Sequence, residues 1–224
     1  MTLRDAARRI RDNSRTSIQR FFLRRHLLAL DRMLGDGRKV NPRTMGGLVR
    51  AWGNEAWSTS VPLLMAMLEW LPQTGGDIVE CGSGLSTLVL ASAVRRLDRR
   101  LISLEHDASW AGRVNDHLPV HMRSNVEIAI APLKDYGEFD WYSLDAVAMP
   151  KSIGFILCDG PPGMTRGGRY GLAPVLRSRL APGCIVLLDD TQRSEEQAIA
   201  NRWCAEWSAS IVHRAETFTV LSLA

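Results

Sequence analysis

At 224 residues and 46% hydrophobic, the chain is long enough to bury one sizeable core, so we expect one domain with an appendage. Its charge is uneven, because residues 1–50 carry 13 Lys and Arg against 4 Asp, whereas the rest carries 15 basic and 20 acidic residues. Four widely spaced cysteines fit neither a disulfide framework nor a zinc ribbon. Without a run of about 18 apolar residues or a secretory signal pattern, the sequence predicts a cytoplasmic protein that spans no membrane.

The first predicted element is a helix over residues 2–34, rich in arginine. Residues at steps of three and four, most of them apolar, fall on one of its faces: Leu3, Ala7, Ile10, Ser14, Ile18, Phe21 and Phe22. Three roles are open for this basic amphipathic arm: packing of the apolar face on the body or on a second subunit, peripheral attachment to an anionic membrane, or binding of a partner.

The chain is expected to break at Gly35, Gly37, Asn41 and Pro42. Residues 43–58 show no clear period and carry Trp52 and Trp57, of which Trp57 is a candidate either for closing a pocket or for the core. We therefore divide the chain into a helical arm with a cap segment, residues 1–58, and a second domain, residues 59–224.

Ser60 and Pro62 predict the start of a helix that runs to about Leu71, after which strands and helices alternate. The predicted strands are Ile78–Cys81, Leu101–Glu105, Val126–Ile130, Ile153–Cys158, Cys184–Leu188, Ser210–Arg214 and Thr217–Leu221. The predicted helices are Leu85–Leu97, Ala108–Leu118, Asp140–Ala148, Tyr170–Leu180 and Ser194–Trp207. This pattern predicts an α/β fold with a Rossmann-like, doubly wound, mainly parallel seven-stranded sheet that ends in an antiparallel strand pair. Ligands bind such a sheet at the carboxyl ends of its strands.

The first of these strands ends in "ECGSG", where Gly82 and Gly84 allow a sharp turn and a close approach of the backbone to a ligand. Glu105, 21 residues beyond Gly84, ends the second strand and is placed to accept the hydroxyls of a ribose. The third glycine of a dinucleotide fingerprint is missing, since Thr87 stands there. The carboxylate of Glu80 suits an ammonium better than a pyrophosphate, which favours S-adenosylmethionine over NAD(P).

At this point the chain resembles the class I S-adenosylmethionine-dependent methyltransferases. The matching residues are Glu80-Cys81-Gly82-Ser83-Gly84, Glu105, and Asp159 after the fourth strand. The resemblance implies that Glu80 and the glycine loop, with Ser83, Ser86 and Thr87, hold the methionine part of the cofactor. It also implies that Glu105 binds the ribose, with His106 and the turn at 131–133 near the adenine, and that Asp159 contacts the cofactor or the acceptor.

The fourth strand is followed by "DGPPGMTRGGRYG" and the fifth by "DDTQRSEE". Asp159 is the candidate catalytic residue, and Arg166, Arg169 and Tyr170 are candidates for binding an anionic substrate. Asp159, Asp189 and Asp190 form a candidate site for Mg²⁺ or a similar cation, as in the catechol-type O-methyltransferases that this part resembles. Pro162 stands where that group has its Lys base, and Asp189 or Asp190 is alternatively the N-cap of the next helix.

This half of the chain is also similar to methyltransferases of acidic plant cell-wall sugars, in which Arg193 and Glu196 match a short motif. We therefore expect methyl transfer to a hydroxyl of a small molecule or an acidic sugar. The alternatives are an NAD(P)-dependent oxidoreductase and a non-catalytic module that binds a membrane or a partner. Because the body is acidic and lacks the motif of amino-group methylases, no nucleic acid is expected as a partner.

Overall fold

The computed structural model describes residues 3–53 and 59–223, with side chains from residue 17 onward. Its α-helices are α1 (Leu3–Gly35), α2 (Pro42–Trp52), α3 (Val61–Trp70), α4 (Leu85–Leu97), α5 (Ala108–His117), α6 (Leu172–Leu176) and α7 (Ser194–Trp207). Its strands are β1 (Asp77–Cys81), β2 (Leu101–Glu105), β3 (Val126–Ile130), β4 (Leu133–Asp135), β5 (Asp140–Tyr142), β6 (Ile153–Cys158), β7 (Leu180–Leu188), β8 (Ser210–Arg214) and β9 (Thr219–Leu223). Strands and helices alternate from β1 onward, which confirms the predicted α/β fold.

Seven strands form one sheet in the order β3-β2-β1-β6-β7-β9-β8. The pairs from β3 to β7 are parallel, and β9 runs antiparallel to both β7 and β8. This is the predicted Rossmann-like sheet with its terminal antiparallel pair, although β9 lies two residues later than expected. The chain builds outward from β1 in one direction and from β6 in the other, so the order reverses between these two neighbours. Ligand sites form at such a reversal.

Two apolar layers sandwich the sheet because side chains alternate between its faces. Ile78, Phe155 and Leu187 pack in the layer of α1 to α4. On the opposite face, Cys81 and Ile156 pack with α6 and α7. The sheet is thus buried on both faces, which leaves the carboxyl ends of its strands as the place where a ligand can bind.

The N-terminal helix packs on the body through a different face from the one predicted. Leu23, Leu27 and Leu30 are buried in the core shared with α2 and α4, and Arg96 Nη2 lies 3.3 Å from Asp31 Oδ1. Ile18, Phe21 and Phe22 of the predicted apolar face are instead exposed, so the expectation that this face packs on the body is wrong. Over the described residues, none of the helices combines the length and the apolarity that crossing a bilayer requires.

Asn41 and Pro42 start a helix and do not break the chain. Asn41 is the N-cap of α2, where its Oδ1 accepts a hydrogen bond from the Thr44 N–H at 3.1 Å, and Pro42 occupies the first turn. The helix ends at Gly53 in the left-handed conformation, with φ at 71°. The prediction that residues 43–58 lack a period is therefore wrong up to Trp52, and Trp57 lies outside the described residues. Ser60 caps α3 as predicted.

Two predicted helices after β3 are wrong or too long. The segment predicted as a helix over Asp140–Ala148 begins with strand β5, which pairs antiparallel with β4 because Trp141 and Tyr142 are bulky and buried between the layers. The helix predicted over Tyr170–Leu180 shrinks to α6 and one 3₁₀ turn. Its last residue, Leu180, already pairs with Ile153 of β6, so β7 is longer than predicted.

Packing of α1 on the body is tested by a matched pair of alanine substitutions. Leu27→Ala removes a fully buried side chain and is expected to lower the free energy of unfolding by about 2–5 kcal/mol through the cavity left behind. Leu28→Ala, in the next helical position but exposed, is expected to change it by less than about 0.5 kcal/mol. Urea unfolding followed by circular dichroism measures both, and equal effects would contradict the docking of this helix.

Candidate active site

A cleft of about 890 Å³ opens at the carboxyl ends of β1, β2, β6 and β7. The end of α2 and one side of α5 close it. Its walls combine backbone from the glycine loop with acidic, basic and aromatic side chains: Trp52, Gly53, Thr59, Gly82, Ser83, Glu105, His106, Asp107, Trp110, Arg113, His117, Tyr142, Asp159, Gly160, Pro162, Gly163, Arg169, Asp189, Asp190 and Arg193. The predicted binding residues at four different strand ends therefore do meet at one place.

The glycine loop after β1 lies against the start of the loop after β6. Gly82 has φ at 89°, and a Cβ there would lie 3.1 Å from the Gly160 nitrogen, so a side chain would be strained and crowded. The carbonyl of Cys81 accepts from the N–H groups of both Asp159 and Gly160, at 3.0 and 2.6 Å. These contacts bring the glycine loop and Asp159 side by side.

Glu80 lies beneath this loop and is fully buried, outside the cleft lining. Its Oε2 accepts hydrogen bonds from the hydroxyls of Ser103 and Thr87, both at 2.6 Å, and Thr87 Oγ1 in turn accepts from the Gly84 N–H at 2.8 Å. Burial raises the pKa of Glu80 to about 7, although these hydroxyls oppose the shift. Thr87, at the position of the missing third glycine, thus links Glu80 to the loop.

Ser86 is buried and contributes no surface to the cleft. Among the described residues, Glu80 Oε1 has no hydrogen bond of good geometry, although the nearby Ser86 hydroxyl lowers the pKa of Glu80. Because Glu80 is fully buried, a ligand ammonium at the loop would interact with its charge through the loop and not by direct contact. The fit of this part to the amino-acid moiety of S-adenosylmethionine rests on that charge and on the close approach that Gly82 allows.

Glu105 lines the cleft at the end of β2 and fixes the tip of the glycine loop. Its Oε2 accepts from the N–H and the hydroxyl of Ser83 at 3.0 and 2.8 Å. Its Oε1 accepts from the Asp107 N–H at 2.9 Å and lies 3.0 Å from His106 Nδ1. A carboxylate has about four acceptor positions, so a ribose diol would take the place of the Ser83 hydroxyl and the His106 ring.

The sequence analysis missed an aromatic wall at one end of the cleft. Trp52 meets Trp110 edge to face, with ring centroids 6.1 Å apart, and the His117 ring at 5.4 Å. The Arg113 guanidinium lies 4.6 Å from the Trp110 ring centroid, and Trp110 Nε1 donates to the Ser83 carbonyl at 2.7 Å. Flat rings beside the Glu105 carboxylate suit a purine next to its ribose. By contrast, Ala131 of the turn predicted near the adenine is buried away from the cleft.

Three carboxylates gather at the other end of the cleft, where β6 and β7 finish. Asp159, Asp189 and Asp190 offer one oxygen each within 4.8 Å of one another, as predicted for a metal site. Burial and the charge of Asp159 raise the pKa of Asp189 to about 7. The pKa of Asp159 is raised too, by burial and by Asp190, against the effect of Arg169. A pair of neighbouring carboxyl groups with raised pKa values is typical of a catalytic site.

The guanidinium of Arg169 lies inside this carboxylate cluster. Its Nη2 donates to Asp190 Oδ2 at 2.6 Å and to Asp159 Oδ1 at 3.2 Å, and its Nη1 donates to the Asp189 carbonyl at 2.6 Å. Burial alone would lower the pKa of Arg169, but these carboxylates raise it, so the side chain is a permanent cation. Arg169 was predicted to bind an anionic substrate, whereas its Nη atoms already bind the protein.

Arg193 is a cation at the carboxylate end of the cleft that is open to solvent. It is half-exposed, and its Nη1 lies 3.1 Å from Asp190 Oδ2 and 3.9 Å from Glu196 Oε1. The motif residues Asp190, Arg193 and Glu196 therefore lie together, with the Arg193 guanidinium near both acids.

Tyr142 of β5 lines the cleft with Asp159 and was not predicted. Within the described residues its buried hydroxyl has no partner, and burial raises its pKa well above the usual value.

Arg166 and Tyr170, predicted to bind substrate, lie outside the cleft lining. Arg166 binds Asp135 and Asp140 at 2.5 and 2.6 Å, which fastens the β4–β5 hairpin to the loop after β6. The Tyr170 hydroxyl donates to Glu206 at 2.6 Å on α7. Both side chains are therefore engaged in holding secondary structure, and the structure does not support the predicted role. Their spacing after Asp159 gave no sign that the chain turns away from the cleft.

Solved structures of similar fold come from methyltransferases. One is a caffeoyl-CoA O-methyltransferase-like protein from Staphylococcus aureus, with 13% identity, a TM-score of 0.60, and alignment over 89% of this chain and 99% of that one. Another is the METTL16 methyltransferase domain, with 12% identity, a TM-score of 0.52, and alignment over 82% of this chain and 80% of that one. Identities this low establish the shared fold. None of the curated proteins matches the chain by sequence.

The prediction that excluded nucleic acid as a partner is wrong. The METTL16 domain belongs to the RNA methyltransferases among the similar structures. Since proteins of this fold methylate RNA, an acidic body and a missing amino-methylase motif do not exclude a nucleic-acid acceptor.

A sequence model of the family described as "Methyltransferase domain" matches residues 79–191, from the glycine loop to the carboxylate cluster. That match covers half of the chain and both ends of the cleft. The matched family is not one of oxidoreductases, and the chain lacks the third glycine of a dinucleotide fingerprint. The chain belongs to this methyltransferase-domain family, and so to the class I S-adenosylmethionine-dependent methyltransferases.

Proposed function

We propose that the protein transfers a methyl group from S-adenosylmethionine to a hydroxyl oxygen of a small molecule or sugar, with Asp159 as the general base. The observation that supports this most directly is the position of Asp159. Its side chain is 31% exposed, in the cleft, and follows β6 directly beside the glycine loop. A base must lie within hydrogen-bond reach of the proton that it removes, and Asp159 is the cluster's most accessible carboxylate.

When bound, S-adenosylmethionine supplies an electrophilic methyl group on a sulfonium. Gly82, Ser83 and Gly84 would hold its amino-acid part, with Glu80 beneath them, and Glu105 would accept the ribose hydroxyls. The aromatic wall of Trp52 and Trp110 would contact the adenine. Because the sulfonium and the ammonium are cationic, the excess of carboxylates in the cleft favours this ligand over a dinucleotide with its pyrophosphate.

Asp159 would take the proton of the acceptor hydroxyl as the oxygen attacks. A carboxylate with an ordinary pKa is a weak base toward a hydroxyl, so the raised pKa of Asp159 improves its proton affinity near neutral pH. Burial is the main cause of this shift, and Asp190, within 4.8 Å, adds to it through repulsion between the two carboxylates. The remaining catalysis would come from alignment of the reacting atoms.

Arg193 would select acceptors that carry an acidic group. It is half-exposed at the cleft wall, and its guanidinium still has donors beyond those directed at Asp190 and Glu196. A carboxylate on the acceptor would therefore find a cation near Asp159, which supports an acidic sugar as substrate. The Nη atoms of Arg169 donate to protein oxygens, and this buried side chain takes no part in the recognition.

The predicted Mg²⁺ does not fit the carboxylate cluster as it stands. Although the donor oxygens of Asp159, Asp189 and Asp190 are of the type that Mg²⁺ prefers, Arg169 already binds two of these carboxylates and the backbone of the third. A dication beside this guanidinium would be repelled. We therefore propose that Arg169 supplies the positive charge of the cluster, and no step of the reaction is assigned to a metal.

Cofactor binding is tested at Glu105. Glu105→Gln keeps the shape but removes the charge that accepts three hydrogen bonds and contacts His106, and we expect the affinity for S-adenosylhomocysteine to fall about 10–100-fold. Isothermal titration calorimetry measures this loss, with Glu127→Gln on the exposed side of β3 as the matched control. Tight binding of NADH by the wild type, without binding of S-adenosylhomocysteine, would contradict the proposal.

The general base is tested by the pH dependence of turnover, measured as release of S-adenosylhomocysteine with a panel of uronic acids, neutral sugars, catechols and RNA. Because the pKa of Asp159 is raised, the rate should climb with pH well above the ordinary carboxylate range as this group loses its proton. Asp159→Asn should reduce the rate about 10²–10⁴-fold. Asp190→Asn removes repulsion and should move the rise to lower pH. An unchanged rate in Asp159→Asn would rule out the proposed base.

The role of Arg169 is tested by chelation and substitution. EDTA should leave wild-type turnover within about twofold, because the guanidinium supplies the cluster's cation. Arg169→Gln leaves three neighbouring carboxylates without it and should cost at least about tenfold in rate while creating affinity for Mn²⁺, measured by calorimetry. Arg166→Gln, outside the cleft, is the control and should do neither. Loss of wild-type activity with EDTA and its recovery with Mg²⁺ would overturn this assignment.

A further inference from the structure

The N-terminal helix α1 has two apolar faces, and only one of them is used by the fold. Leu23, Leu27 and Leu30 face the core and are fully or almost fully buried. On the other side, side chains at helical steps of three, four and seven are open to solvent: Ile18 is 57% exposed, Phe21 63%, Phe22 44% and Leu28 46%. We call these four residues the outer apolar face. Its residues are spaced as on one continuous surface, and the Phe21 and Phe22 rings are 5.7 Å apart.

Arginines border this outer apolar face and are interspersed within it. Arg20, Arg24, Arg25 and Arg32 are exposed, and among the described residues no carboxylate forms a salt bridge with any of them. Across the first 50 residues the chain carries 13 Lys and Arg and only 4 acidic residues. Aromatic and aliphatic side chains flanked by free arginines, on one face of a helix, are the composition of segments that lie in the interface of an anionic bilayer.

We propose that the outer apolar face of α1 docks the protein on the surface of an anionic lipid membrane. Ile18, Phe21, Phe22 and Leu28 would enter the boundary between headgroups and acyl chains, while the arginines contact lipid phosphates. A second copy of the chain fits this face less well, because pairing two such faces brings their arginines together. A nucleic acid would satisfy the arginines but leave Ile18 and Leu28 without an apolar partner.

The docking surface lies beside the opening of the cleft. Gly53 lines the cleft at the end of α2, and the Gln19 side chain packs so closely on Gly53 that a Cβ there would lie 2.6 Å from its nitrogen. Gln19 immediately follows Ile18 of the outer apolar face. A membrane bound along α1 would therefore lie near the end of the cleft that Trp52 and Gly53 line. The proposal concerns this surface and holds for any acceptor.

The full-length protein is tested by co-sedimentation with vesicles of phosphatidylcholine alone and of phosphatidylcholine mixed with phosphatidylglycerol. We expect binding to the anionic vesicles, weakened by salt, and little binding to the neutral ones. The double substitution Phe21→Ser and Phe22→Ser should reduce the partition coefficient about tenfold or more. Arg24→Glu with Arg25→Glu should reduce it as well. Val120→Ser, at an 82% exposed position outside α1, is the matched control and should bind as the wild type does.

Because all of these positions are exposed, each variant should keep the wild-type melting temperature and its affinity for S-adenosylhomocysteine, which separates this test from the one for the proposed function. Equal partitioning of the Phe21/Phe22 variant and the wild type would overturn the proposal, as would a lack of binding to either vesicle. A dimer in light scattering that the same substitutions abolish would assign the face to a second copy instead. RNA binding that these substitutions abolish, without vesicle binding, would assign it to nucleic acid.

Discussion

The close backbone contact between Gly82 and Gly160 determines the geometry of the whole cleft. It occurs where the order of parallel strands reverses. There β1 and β6 are neighbours in the sheet, although β2 to β5 lie between them along the chain. Since neither loop carries a Cβ at the contact, the loop suited to a cofactor and the loop that carries Asp159 come within van der Waals distance. In the proposed reaction the methyl donor at the glycine loop and the base Asp159 have to be neighbours, and this contact brings their two loops together.

Buried charge is the second constraint, and the cleft handles it differently at its two ends. Beneath the glycine loop, the partners of Glu80 are hydroxyl groups and not a protein cation. Burial raises its pKa to about 7. At the other end, Arg169 lies among carboxylates and is held by three hydrogen bonds. An isolated buried charge would cost several kcal/mol, which explains why each of these groups is surrounded by partners. Of these groups, Asp159, with its side chain 31% exposed in the cleft, is the one open to a ligand.

The helix α1 has one face in the core of the body and an opposite face exposed to solvent. Its inner leucines belong to the same core as α2 and α4, so the helix is rigidly attached to the element that ends at Trp52 and Gly53. Its outer residues have no comparable partner among the described residues. A single helix thereby links one end of the cleft to an exposed apolar and cationic surface. An exposed apolar patch of this kind marks a site of interaction with a membrane or a protein.

The sequence by itself determined the alternation of strands and helices, the glycine loop and the acids at the strand ends, because periodicity and glycine positions act locally. It misassigned Asn41 and Pro42, since a cap and a break use the same residues, and it took Asp140–Tyr142 for helix because burial of Trp141 and Tyr142 is a tertiary effect. Only the tertiary structure decided that Arg169 enters the carboxylate cluster while Arg166 turns away from it. Three residues apart in one loop, they cannot be distinguished until strands β6 and β7 bring Asp159 and Asp190 together around one of them.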